Sequence, residues 1–92
     1  MTMFQLCNTI KELKKKHGKD VVVLIRDEHD FYVAGYKDAM NIGAICNLEV
    51  VDGMEENGTI VDIVSFKSYK LSDYLPKIIR AGYKVALCDP IK

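Results

Sequence analysis

Ninety-two residues, 49% of them hydrophobic and 28% charged, describe one globular domain spanning residues 1–92 and exclude a disordered tail, a collagen-like repeat or a disulfide-stapled mini-protein. Thirteen basic residues balance thirteen acidic ones. The chain therefore lacks the basic excess with which free-standing nucleic-acid binders usually neutralise phosphates, and any such binding has to rest on a local patch or on a partner.

The first element is a helix over residues 3–16. Met3, Leu6, Cys7, Ile10 and Leu13 recur at steps of three and four and form one apolar stripe. Thr2 is its N-cap, Lys14, Lys15 and Lys16 occupy the last turn where cations suit the helix dipole, and Gly18 suits a left-handed stop. Val21 to Ile25 is short, β-branched and almost continuously apolar, which predicts a strand covered on both faces. Asp27-Glu28-His29-Asp30 is a polar turn, and Phe31 to Ala34 is a second strand that ends at Gly35.

Residues 36–46 predict a second helix with Ala39, Met40, Ile42, Gly43 and Cys46 facing inward and Asn47 in the left-handed position at its end. Leu48 to Val51 is a third strand. Asn57-Gly58 is a turn signal, and Thr59 to Phe66 alternates as a fourth strand. Ser72 is expected to cap a third helix that runs to Ala81, with Pro76 in its first turn and Leu75, Ile78 and Ile79 buried. Gly82 ends that helix. Tyr83 to Cys88 closes the chain as a strand in which Val85 and Leu87 alternate with Lys84 and Ala86, and Asp89-Pro90 stops it. The expected fold class is α/β (α+β), a mixed sheet of about five strands flanked by about three helices.

Cys7, Cys46 and Cys88 lie far apart, are odd in number and contain no C-x-x-C pair. They read as reduced core residues of a cytoplasmic protein, and neither they nor the two histidines have zinc-site spacing. No signal peptide or membrane span is recognisable. No nucleophile–base motif and no Gly-rich phosphate loop is present, so the expectation is a binding domain rather than an enzyme, with no cofactor and no metal.

Two stretches carry a family resemblance. One is Asp30-Phe31-Tyr32-Val33-Ala34-Gly35-Tyr36-Lys37-Asp38-Ala39. The other runs from Asp73-Tyr74-Leu75-Pro76-Lys77-Ile78-Ile79-Arg80-Ala81 through Gly82-Tyr83-Lys84-Val85-Ala86-Leu87-Cys88-Asp89. Together they resemble the N-terminal, mismatch-contacting domain of MutS proteins. In that domain a D-F-Y-E segment precedes a helix starting Y-x-D-A, and an N-Y-L-x-K-L helix leads through G-x-x-V-A-I-C-E into a closing strand. The resemblance covers roughly residues 4–91. It implies a MutS-like domain without the Walker A motif and ATPase of the whole protein, binding mismatched, distorted or branched DNA. The family phenylalanine stacks on a mispaired base, and Phe31 matches it. The family glutamate two residues on bonds the displaced base, but Val33 stands in its place. His29 replaces a family glycine, and Val51 and Asp52 stand where the family has basic residues.

By this reading the DNA-contacting residues are Phe31, Lys14, Lys15, Lys16, Lys67 and Lys70. Three plainer readings stand beside it. Phe31 is a core aromatic on a short strand, Lys14, Lys15 and Lys16 are a solvated helix end and Lys67 and Lys70 a solvated loop, and residues 27–30 are a solvated turn rather than a magnesium site. The alternative function is a protein-interaction or regulatory module that kept the fold and lost DNA recognition, with a protein as partner.

Overall fold

The computed structural model describes residues 2–89. Its elements are α1 (Met3–His17), β1 (Val21–Arg26), β2 (Phe31–Gly35), α2 (Lys37–Cys46), β3 (Val51–Met54), β4 (Ile60–Lys67), a 3₁₀ turn (Ser68–Lys70), α3 (Leu71–Arg80) and β5 (Lys84–Cys88). The strands form one mixed sheet in the order β3-β4-β2-β1-β5, in which β1 and β5 are parallel and the other neighbours antiparallel. Five strands and three α-helices in a mixed α/β arrangement match the expected fold class.

Side-chain alternation divides the core into two layers. Val22 and Leu24 of β1, Ala34 of β2, and Val64 and Phe66 of β4 face one way and pack with Ala39, Ile42 and Cys46 of α2 and Ile78 of α3. Val23, Ile25, Val33, Val61 and Ile63 face the other way and pack beneath Cys7 and Ile10 of α1. The run Val21 to Ile25 is thus apolar throughout because helices cover both of its faces.

Local chemistry fixes the ends of α1. The Thr2 hydroxyl accepts the Gln5 N–H at 3.1 Å, and the Gln5 side-chain oxygen accepts the Thr2 N–H at 2.9 Å, which closes a capping box. Gly18 leaves the helix at φ 97°, a conformation open to glycine, with its N–H on the Lys14 carbonyl. Asn47 ends α2 in the left-handed conformation, as its sequence position predicts.

Several expectations are corrected. The third strand is Val51–Met54, not 48–51. Val50 instead leans into the gap left by Gly43, where an added Cβ would lie 2.6 Å from its Cγ2. Met40 is 53% exposed and Ile79 55%, because each stands on the solvent side of its helix. Leu87 is exposed as well, on the edge strand β5. Ser72 does not cap α3: the 3₁₀ turn runs directly into the helix, and no side chain caps it. That displaces Pro76 from the first turn into the helix interior. The stop expected at Pro90 lies outside the described residues.

Proline at an exposed interior position removes one i→i−4 bond, here to the Ser72 carbonyl, and crowds that carbonyl. Pro76→Ala is therefore expected to stabilise the domain by about 2 kcal/mol, part of the roughly 3 kcal/mol interior penalty being offset by a looser unfolded chain. A chemical-denaturation midpoint that rises in the variant checks this, and one that falls refutes it.

Candidate nucleic-acid interface

The β1–β2 turn sets up the position of Phe31. The Asp27 carboxylate accepts the backbone N–H groups of His29 and Phe31, both at 2.9 Å, and so folds the turn back on itself. The Asp27 N–H bonds the Phe31 carbonyl at 2.8 Å. Asp30 adopts φ 68°, its carbonyl accepts the Ser68 N–H at 2.9 Å, and its carboxylate pairs with Arg26. Bonding from Ser68, then from Arg26, holds the Asp30 carboxyl below the usual carboxylate range. The acidic turn is thus engaged in holding the chain. Among the described residues no cluster of three or more His, Cys, Asp or Glu side chains could hold a metal ion.

Phe31 begins β2 directly opposite Lys67, the last residue of β4. Both point to the sheet face that carries α1. The helix covers that face over Val33 and Ile63, but further along β4 the same alternation brings Ser65 and Lys67 into solvent. The result is an open corner of the sheet built from Phe31, Ser65 and Lys67. Phe31 is half-buried: its ring packs against the margin of the α1 layer, and the Lys67 ammonium stands 4.4 Å from its centroid. Tyr69, 70% exposed, and Lys70 follow in the 3₁₀ turn, with Lys70 3.8 Å from Asp73. Ser65 and Tyr69 escape a reading by motif. The period-two pattern that starts at Val61 would have placed Ser65 on the Phe31 face once the register was known.

Val33 lies inside, 4% exposed beneath α1. A glutamate at that position would have to enter an apolar layer, where an unpaired carboxylate is strongly disfavoured.

The α1 lysines sit elsewhere. The Lys14 ammonium contacts the Val21 carbonyl at 2.5 Å and both Asp38 carboxylate oxygens at 2.8 and 3.0 Å, at the end of β1 remote from the 27–30 turn. Its charge is therefore engaged inside the fold. Lys15 and Lys16 are exposed, and no ion pair holds either of them among the described residues. Of the six lysine and phenylalanine positions singled out from sequence, the structure brings Phe31, Lys67 and Lys70 to one end of the sheet and Lys14, Lys15 and Lys16 to the end of α1.

Tyr36 and Asp38, the polar residues of the Y-x-D-A motif, have internal roles. The Asp38 Oδ2 accepts the Val23 N–H at 3.1 Å. Tyr36 donates its hydroxyl to Glu55, which also pairs with Lys11. Burial, then the Glu55 bond, raises the Tyr36 phenol well above its ordinary value, and Lys11, then Tyr36, holds the Glu55 carboxyl low. Burial pushes up the thiol of Cys7. No helix among the described residues is long and apolar enough to cross a membrane.

Comparison with known proteins assigns this geometry to a family. Residues 5–92 match the family model for MutS domain I. The chain is 37% identical over 81 residues to the DNA mismatch repair protein MutS of Bacteroides fragilis, covering 88% of this chain and 9% of that protein. It is 39% identical over 83 residues to the MutS of Parabacteroides distasonis, again 88% of this chain and 9% of that protein. The MutS of Thermotoga neapolitana is 29% identical over all 92 residues, 11% of its length. The chain thus spans about a tenth of the length of the curated relatives it matches. With the five-strand mixed sheet and the Phe31 and Tyr36-Lys37-Asp38-Ala39 segments in place, the chain belongs to the MutS domain I family.

Proposed function

We propose that this domain binds DNA, foremost mismatched, distorted or branched duplexes, through the open sheet corner of Phe31, Ser65, Lys67 and Lys70, and that it does so without catalysing a reaction. One observation carries the reading: a half-exposed aromatic ring at an uncovered sheet corner, with a lysine ammonium over its face, in a member of the MutS domain I family. An aromatic wedge inserted at a base step costs a few kcal/mol of unstacking, and the cost is least where pairing is already disturbed. On an approaching duplex the Lys67 ammonium moves from the ring to a phosphate, and the freed ring stacks.

Val33 supplies no acceptor or donor for a displaced base. Discrimination then rests on how easily the duplex kinks rather than on which bases are mispaired. Lys15 and Lys16 add attraction at a distance, and Lys14, paired with Asp38, does not take part.

Fluorescence anisotropy with matched, mismatched and branched duplexes across a salt series tests the proposal. The expected order is branched and mismatched above matched. Lys67→Ala and Lys70→Ala should each reduce the slope of log affinity against log salt by about one. Absence of binding to every duplex at low salt refutes it.

A second reading, a protein-interaction module, is favoured by the net charge of +0 and by the exposed Met3, Phe4, Met54 and Ile60 that line one groove beside the edge strand β3. It predicts that failure on DNA coincides with loss of partner binding when Phe4 or Ile60 becomes aspartate.

A further inference from the structure

We propose that the cleft between the last turns of α1 and the start of α2 is a second ligand site, one that holds the phosphate of a nucleotide. The cleft has a volume of about 560 Å³, within the ordinary range for small-molecule sites and roomy enough for one nucleotide. Its floor is Ile10. Its walls are Lys15 and Lys19 on one side and Gly35, Tyr36 and Lys37 on the other.

Charge selects the ligand. Five lysines line the cleft. Lys11 is paired with Glu55 and Lys14 with Asp38. Lys15, Lys19 and Lys37 are exposed and have no ion pair among the described residues. Three lysines without ion pairs around a largely apolar lining suit a ligand with a flat apolar part and an anionic end. The junction at Tyr36 adds two further features. Helix α2 starts in the cleft wall with no side chain capping its N-terminus, and the Asp38 carboxylate in its first turn is taken up by Lys14 and the Val23 N–H. Tyr36 itself holds φ 62° and ψ −134°, a region that costs a non-glycine residue of order 1–3 kcal/mol and that recurs at ligand clamps. The strain is held by the Tyr36 N–H on the Asp62 carbonyl at 2.8 Å and by the hydroxyl on Glu55. Tyr36 lines the cleft, where a base finds an aromatic neighbour.

This site does not use Phe31, Lys67 or Lys70, and its failure leaves the DNA reading untouched. The test is a titration of adenosine 5′-monophosphate into isotope-labelled protein, followed by the amide signals of Gly18, Lys19, Tyr36 and Lys37. Saturable shifts at these amides are expected, with affinity in the millimolar range or tighter. The variant carrying Lys15→Ala, Lys19→Ala and Lys37→Ala should bind at least about tenfold more weakly, with its melting temperature retained. A 5′-phosphorylated trinucleotide that binds more tightly than the monophosphate assigns the site to a strand end, and the reverse order assigns it to a free nucleotide. Any one of three results overturns the proposal: no saturable shift to about 10 mM, equal binding by adenosine or by inorganic phosphate alone, or unchanged affinity in the triple variant.

Discussion

Asp38→Ala is expected to lower stability by about 3–5 kcal/mol, the cost of removing one partner from a buried, hydrogen-bonded ion pair. The size of the effect follows from what the carboxylate does. Strand β1 pairs with β2 only at Ile25↔Val33 and Arg26↔Tyr32, and the ladder does not continue to Leu24 and Val23. The Val23 N–H, on a fully buried residue, is left without a strand partner on that side. Asp38, 5% exposed in the first turn of α2, accepts it at 3.1 Å. The same carboxylate meets the Lys14 ammonium, which is also bound to the Val21 carbonyl. One side chain therefore joins α1, β1 and α2. Alanine strands a buried N–H and a largely enclosed ammonium together. In a domain of this size, with total stability on the order of 5–14 kcal/mol, the melting temperature should fall by about 15–30 °C. Asp38→Asn keeps an acceptor for Val23 and should lose less. Thermal unfolding followed by circular dichroism checks both. A fall below about 1 kcal/mol for Asp38→Ala would show that the pair is not structural.

Phe31→Ala is expected to weaken binding of a mismatched duplex by roughly fivefold to a hundredfold, the range for removing one aromatic stacking platform. The ring is half-buried and lies at the margin of the α1 layer, so the variant should fold. Its effect should be larger on mismatched than on matched DNA, because only the disturbed site admits the ring cheaply. Phe31→Tyr keeps a stacking face and should retain most of the affinity. The salt slope should change little in Phe31→Ala, since no phosphate contact is lost, whereas Lys67→Ala should change the slope. If the two variants behave alike, Phe31 acts only by holding Lys67.

Where periodicity was strong, the sequence was sufficient. The stripe Met3 to Leu13 and the run Val21 to Ile25 specify α1 and β1, and Asn47 marks the end of α2. Legibility failed where partners decide. Leu48 to Val51 has strand composition, but the ladder forms at Val51–Met54 because those residues meet Ile60 to Ile63 of β4. Ser72 has the chemistry of a cap, but the 3₁₀ turn preceding it already has helical backbone, so no capping position arises. Met40 and Ile79 are apolar residues on solvent-facing positions, which composition cannot distinguish from inward ones.

The site shows the same division. Phe31 was visible from its motif, whereas its pairing with Lys67 depends on register across the sheet. The lysines at the end of α1 looked equivalent in sequence, yet Lys14 alone meets a carboxylate 24 positions away. The substitution of Val33 for glutamate is visible in the chain, and its physical setting, an enclosed position beneath α1, is visible only in the fold.

The most direct test of the proposal that this corner binds DNA is a map of amide shifts when a short mismatched duplex is added to isotope-labelled protein. The largest changes are expected at Phe31, Ser65, Lys67, Tyr69 and Lys70, and they should collapse in Phe31→Ala. Duplex binding that leaves these five amides unmoved would contradict the account.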